Sequence, residues 1–167
     1  MTTRKDFKSK VLALKAMNGE MFFNYFGVKA DWCAIFVTYC MKNIANIGWF
    51  PKTASCSAMK KALSDRVNHD YKTAEVGDII LLETNNPNDG PDHVGIVVDN
   101  SNGTITLIEG NTGNSDFMKS YVSTYKYTHY ADSFDCIIDM SSEFGELDEL
   151  EKYRNSIEKI KAILSEV

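Results

Sequence analysis

The sequence has no CxxC pair, no excess of basic residues, no apolar run of membrane-spanning length, no low-complexity segment and no internal repeat. Each absence removes a class of function. The four cysteines, Cys33, Cys40, Cys56 and Cys136, match no paired-ligand spacing, so a zinc site lacks support. Cys33 and Cys40 on one helix would stand ~10 Å apart along its axis, too far for a disulfide. Apart from Cys33, whose position is taken up below, the cysteines read as reduced, buried thiols. Lysine and arginine total 18 against 23 acids, a net charge of −5, which argues against a nucleic-acid partner. The acids gather towards the C-terminus, so the main domain is closer to neutral. The opening stretch "MTTRKDFKSKVLALKAMNGE" has no apolar core of the secretory kind. The expectation is a chain made in the cytoplasm without a signal peptide and not inserted in a membrane. A target outside the cell would then require another agent to release or carry it.

What is present fits one domain with room for an appendage: 167 residues, 44% hydrophobic and 25% charged. That length buries a useful core without disulfides. Residues 4–18 carry Phe7, Val11, Leu14 and Met17 at helical spacing, with Asn18-Gly19 as a stop. "MFFNYFG" (21–27) reads as core aromatics in preference to a substrate wall. In "DWCAIFVTYC" (31–40), Asp31 is placed to cap a helix whose first turn holds Cys33, and the apolar residues after it surround the helix, which predicts burial on most sides. Residues 43–57 read as a loop, and Ser57 as the cap of a short helix "AMKKALSD". Then the pattern turns to strands: "GDIILLE", "HVGIVVDN", "TITLIEGN", "SYVSTYKYTHY" and "FDCIIDM", with the turn-rich "TNNPNDGPD" (84–92) after the first. Helices first and an antiparallel sheet after them predict an α+β fold. Leu150, Tyr153, Ile157, Ile160 and Leu164 form a short heptad-like stripe in an acidic tail. The expected division is a catalytic domain over 1–140 and a helical tail or linker over 141–167, with the 147–164 helix a candidate for self-association.

A reactive thiol needs easy ionisation, a basic partner and a group to orient that partner. Cys33 sits where helix-head N–H groups favour a thiolate, and Cys40, two turns on, does not. Of His69, His93 and His129, His93 opens an apolar strand directly after a polar loop. A three-residue turn Ser101-Asn102-Gly103 would pair Asn100 with Thr104, placing His93 opposite Asn111 and diagonal to Glu109 on one face. Glu109 and Asn111 could then fix the imidazole tautomer; a slip of one residue would undo the arrangement. Singly, each of these residues has an ordinary structural reading: a core cysteine, a solvated histidine, a turn.

"DWCAIFVTYC", "VGDIILLE", "DHVGIVV" and "IEGNT", in that order, resemble the CHAP domain, the cysteine- and histidine-dependent amidohydrolase/peptidase group of the papain-like superfamily, over roughly residues 5–140. The resemblance implies a papain-like fold with Cys33 as nucleophile, His93 as general base, Glu109 as the acidic orienting residue and Asn111 as its companion amide. It implies peptidoglycan as partner, an amide bond of the wall peptide as the cleaved bond, and a phage-lysin or wall-hydrolase setting. It implies no cofactor. Some lysins of that family hold calcium in an Asp-rich loop before the nucleophile, but "YFGVKADWC" offers only Asp31, so no metal is expected there, and "NDGPD" reads as a turn-rich loop. Trp32 is a candidate for the groove floor, with core packing as its other reading. An intracellular thiol hydrolase or deamidating effector, and a non-catalytic wall-binding module, are the competing functions.

Overall fold

The computed structural model describes residues 1–85, 89–145 and residue 157. Four helices precede most of the sheet: α1 (Arg4–Leu12), α2 (Glu20–Phe26), α3 (Cys33–Tyr39) and α4 (Cys56–Ala62). Six strands follow: β1 (Val67–Asn68), β2 (Ile79–Leu82), β3 (His93–Ser101), β4 (Thr104–Thr112), β5 (Tyr121–Thr128) and β6 (Phe134–Ile138). They form one sheet in the order β1-β6-β2-β3-β4-β5, with every pairing antiparallel. The fold is α+β, with a cysteine at the first position of the central helix.

The helices differ from the sequence reading for local reasons. The helix expected over 4–18 stops at Leu12 because the chain is then taken over by the sheet. Ala16 adopts φ 67° and donates its N–H to Val122 of β5, and Val122 donates back to Met17. "MFFNYFG" is itself helical, closed by Gly27 at φ 88°, which donates to Phe23. Its Phe22 and Phe23 are buried, and Phe22 stacks on Trp32 at 5.1 Å between ring centres. The last helical cap is Ser55, not Ser57: its hydroxyl accepts from Ala58 N–H, so Cys56 opens α4. Asp31 does not cap α3. Trp32 occupies that position without a capping bond from its side chain, and the Asp31 carboxylate is engaged elsewhere.

Strand alternation divides the apolar residues between two faces. Ile79, Leu81, Val94, Ile96, Ile108 and Ile138 pack with the helices, α3 at the centre. Ile80, Leu82, Val97, Ile105, Leu107 and Ile137 form a smaller cluster on the other face, bordered by Tyr71, Tyr127 and Phe134. Gly110 lets α3 approach β4: a Cβ there would stand 2.6 Å from Phe36 Cβ and 2.7 Å from Trp32 Cζ3.

The β3–β4 hairpin corrects the expected register at its tip and preserves it at its base. The turn has two central residues, Asn102 and Gly103, both at positive φ (52° and 77°), as a type I′ turn requires. Ser101 therefore pairs with Thr104, not Asn100 with Thr104. A bulge between Val97 and Asp99 then absorbs one residue, and Gly95 pairs with Glu109. His93 lies diagonal to Glu109, as expected, by a different route. The heptad stripe at 150–164 and the segment suggested for self-association lie, residue 157 apart, outside the described residues. No described helix is long and apolar enough to cross a membrane.

Candidate active site

Four segments meet at Cys33. The thiol is the first side chain of α3, 6% exposed. Its Sγ lies 3.9 Å from the carbonyl oxygen of Asp92, the residue before β3, and 3.7 Å from Sγ of Cys56, the first side chain of α4. His93, the next residue after Asp92, lies close enough to Cys33 for its imidazole to favour the thiolate. On its other side, His93 Nε2 is 2.9 Å from Glu109 Oε2. With Nε2 engaged, Nδ1 is the ring nitrogen left for sulfur, and the carboxylate fixes that tautomer.

Glu109 reaches His93 because of Gly95. The two are directly paired across β3 and β4, and a Cβ on Gly95 would fall 2.8 Å from Glu109 Cγ. The glutamate side chain therefore lies across the space an ordinary residue would fill, towards the imidazole two residues along the strand. Glu109 is 2% exposed. A carboxylate so buried needs its lone pairs occupied: Oε2 has His93, and Oε1 accepts from the Tyr127 hydroxyl at 2.9 Å.

These contacts set the protonation states. Cys33 is lowered to about 5, chiefly by the hydrogen bond from Cys56; burial opposes this, and the hydrogen bond and charge of His93 and the backbone N–H of Ala34 add to it. Burial pulls His93 down, but its interactions with Cys33 and Glu109 outweigh that and raise it to about 10. Around neutral pH the pair is a thiolate and an imidazolium. Cys56 is driven the opposite way by its bond to Cys33, by burial and by the Cys33 charge, and stays a thiol. Cys40 is raised by burial in the helical interior, consistent with a packing role.

Asn111 is not on the imidazole. It has φ 61°, at an irregularity of the β4–β5 ladder between Glu109 and Thr112, and this turns its side chain towards the segment before Cys33. Its Nδ2 donates to Asp31 Oδ1 at 3.0 Å, and its Oδ1 accepts from Ser120 Oγ at 2.7 Å. Ser120 Oγ in turn accepts from Trp32 Nε1 at 2.9 Å. The amide thus holds both residues preceding the thiol, Asp31 directly and Trp32 through Ser120. Trp32 is in the core and not on a groove floor: it has no exposed surface, and its ring is held by Phe22, Phe23 and Ser120.

Asp92 contributes as structure. Burial works to raise its carboxyl, but Thr84 N–H, Thr84 hydroxyl and Asn85 N–H donate to it and hold it low. With its own N–H on Leu82 O, it ties the residue before His93 to Leu82, Thr84 and Asn85. The other histidines lie away from the thiol: His129 bonds Asn100 Oδ1 at 2.7 Å, in the tip half of the hairpin, and His69 follows β1 at the far edge of the sheet. Among the described residues, no group of three or more His, Cys, Asp and Glu is placed to hold a metal ion.

Cys56, Tyr127 and Ser120 are the site neighbours that the sequence reading missed. For Cys56 a signal existed: a cysteine directly after a serine cap, hidden by placing the helix start two residues late. Tyr127 reaches the site from β5 and Ser120 from the residue before that strand, and neither had a local signal.

A family model described as CHAP domain matches residues 24–111, more than half of the chain. The matched span holds Cys33, His93, Glu109 and Asn111. No curated protein and no solved structure matches the chain.

Proposed function

The chain belongs to the CHAP domain family, and from that premise we propose that it hydrolyses an amide bond in the peptide part of bacterial peptidoglycan, with Cys33 as the nucleophile. Membership makes it a hydrolase of the cysteine- and histidine-dependent amidohydrolase or peptidase kind. The observation that supports the assignment of roles is the hydrogen bond of the His93 imidazole to the buried Glu109 carboxylate, with the Cys33 thiol, made acidic, beside the same imidazole.

In this reading the Cys33 thiolate attacks the carbonyl carbon, forming a C–S bond while the carbonyl electrons move to oxygen. The oxyanion is met by the Cys33 backbone N–H, which has no partner within its own helix. His93, already protonated, gives its proton to the amine nitrogen as the C–N bond breaks, leaving a thioester. Water, deprotonated by His93, then attacks the thioester, and the acid product leaves with the thiolate restored. Glu109 holds the imidazolium in place throughout. Asn111 acts as a positioning residue, through Asp31 and Trp32. An endolysin-type role, with action on the wall after release, belongs to the same proposal and rests on the family resemblance.

The test compares wild type with Cys33→Ala on purified walls, reading turbidity and the masses of released fragments. Loss of lysis in the variant supports the assignment; unchanged lysis overturns it. New amino termini at lactyl-linked alanine indicate an amidase, and those within the stem or cross-bridge an endopeptidase. Intact walls together with hydrolysis of a protein substrate would favour the thiol-hydrolase alternative.

A further inference from the structure

In the hydrolytic cycle Cys56 only helps to lower the Cys33 thiol and makes no bond to substrate. Its sulfur nevertheless lies 3.7 Å from that of Cys33, and no other pair of cysteines is recorded in such contact among the described residues. The two are 23 residues apart in sequence and meet because α3 and α4 both begin with cysteine at the same corner of the fold. Each is 6% exposed, and the contact places one sulfur beside the other, so an oxidant that reaches Cys33 acts next to Cys56. A disulfide needs the sulfurs at about 2.05 Å, a closing movement of the size that rotation about two Cα–Cβ bonds supplies.

We propose that Cys33 and Cys56 are a peroxide-responsive modification site, in which Cys56 resolves oxidised Cys33 as a reversible disulfide. The oxidant is a hydroperoxide. Cys33 thiolate attacks its terminal oxygen; the O–O bond breaks, sulfur is oxidised to the sulfenic acid, and the departing oxyanion takes the His93 proton to leave as an alcohol or water. Cys56 sulfur then attacks Cys33 sulfur, the S–O bond breaks, and the hydroxyl leaves as water with the Cys56 proton. Two thiols and one hydroperoxide thus give one disulfide, one alcohol and one water. The first step suits the protonation pattern, because thiolates are the form that peroxides oxidise. Once Cys33 is a sulfenic acid, the hydrogen bond and charge of its thiolate no longer hold the Cys56 proton, and Cys56 can release it to the departing hydroxyl as its sulfur attacks. The disulfide would cap the hydrolytic nucleophile and protect it from irreversible oxidation. Only this consequence rests on the hydrolase reading; formation of the bond does not.

The experiment treats the full chain with a stoichiometric amount of hydrogen peroxide, stops it with catalase, and reads intact mass and a non-reducing peptide map. The expected result is a loss of two hydrogen atoms, a link between the Cys33 and Cys56 peptides, and full reversal by dithiothreitol. Given several equivalents of peroxide, Cys56→Ser and Cys56→Ala should both accumulate sulfinic or sulfonic acid at Cys33, which dithiothreitol does not reverse. Wild-type protein that gains oxygen at Cys33 without the link, or that links other cysteines, overturns the proposal. So does recovery of the Cys56 variants to the wild-type level. If the link forms but the reduced protein leaves walls intact, the hydrolase reading fails and the disulfide stands.

Discussion

The Tyr127 hydroxyl donates to Glu109 Oε1 at 2.9 Å, the oxygen that His93 does not use. The carboxylate is therefore held from two strands, by β3 through the imidazole and by β5 through the phenol. Burial and the neighbouring Glu109 charge raise the phenol beyond its ordinary range, so it remains a donor. Tyr127→Phe keeps the ring against Phe134 and removes only that donor. Losing one hydrogen bond to a charged group costs about 1.5 kcal/mol or more in stability. We expect kcat to fall about tenfold by the same arithmetic, with KM little changed, measured as initial rates on purified walls alongside a urea midpoint.

The pH dependence follows from the ion pair. Cys33 is held down at about 5, so its thiolate is present above that pH and lost as pH falls through it. His93 is held up at about 10, so its imidazolium is present below that pH and lost as pH rises through it. Cys33 should react with iodoacetamide at a nearly constant rate between about pH 6 and pH 9, where an ordinary thiol gains close to tenfold per unit. Hydrolysis should fall on both sides of that range. In Glu109→Gln the imidazolium loses its carboxylate, and the alkaline limb should move down by about one unit or more. An unmoved limb would count against Glu109 as the partner that sustains the charge.

Asn111 can be dissected with two substitutions. Its φ of 61° is tolerated by glycine and strained for alanine. Asn111→Gly removes the bonds to Asp31 and Ser120 while keeping the backbone, and should lower kcat about fivefold to tenfold, near the worth of a lost hydrogen bond. Asn111→Ala should add about 1 kcal/mol or more of destabilisation on top, seen in the urea midpoint. Equal midpoints for the two variants would show that the backbone geometry is not what asparagine is kept for.

Gly110→Ala tests the approach of α3 to β4. The new methyl would meet Phe36 and Trp32 at 2.6 and 2.7 Å, so helix or strand must yield. Overpacking of this kind costs about 1–3 kcal/mol. Because Cys33 rides on the same helix, kcat should fall together with the chemical-denaturation midpoint.

The neighbourhood of His93 and Glu109 was legible in the sequence because antiparallel pairing is arithmetic: a turn such as Asn102-Gly103 between two β-branched runs leaves few registers open. The bulge at Val98 was not legible, since any apolar residue serves there, yet it compensated for the misread turn. Asn111 was placed on the wrong neighbour because the pairing rule assumes extended backbone, and its φ is left-handed. The helix in "MFFNYFG" was hidden by aromatic residues of modest helix propensity; burial of Phe22 and Phe23 against Trp32 overrides it. Cys56 was overlooked because Ser55 and Ser57 are both competent caps, and choosing between them needs the fold.

The bulge at Val98 also has a practical meaning. It separates the phase of the hairpin's base, where His93 and Glu109 meet, from the geometry of its tip. Asn102 and Gly103 are exposed and lie about 30 Å along the strand from His93, at roughly 3.3 Å per residue. That tip is the natural grafting point on this chain: a fluorophore, an affinity peptide or a wall-targeting module inserted there would ride on the sheet without resetting the chemistry at its other end.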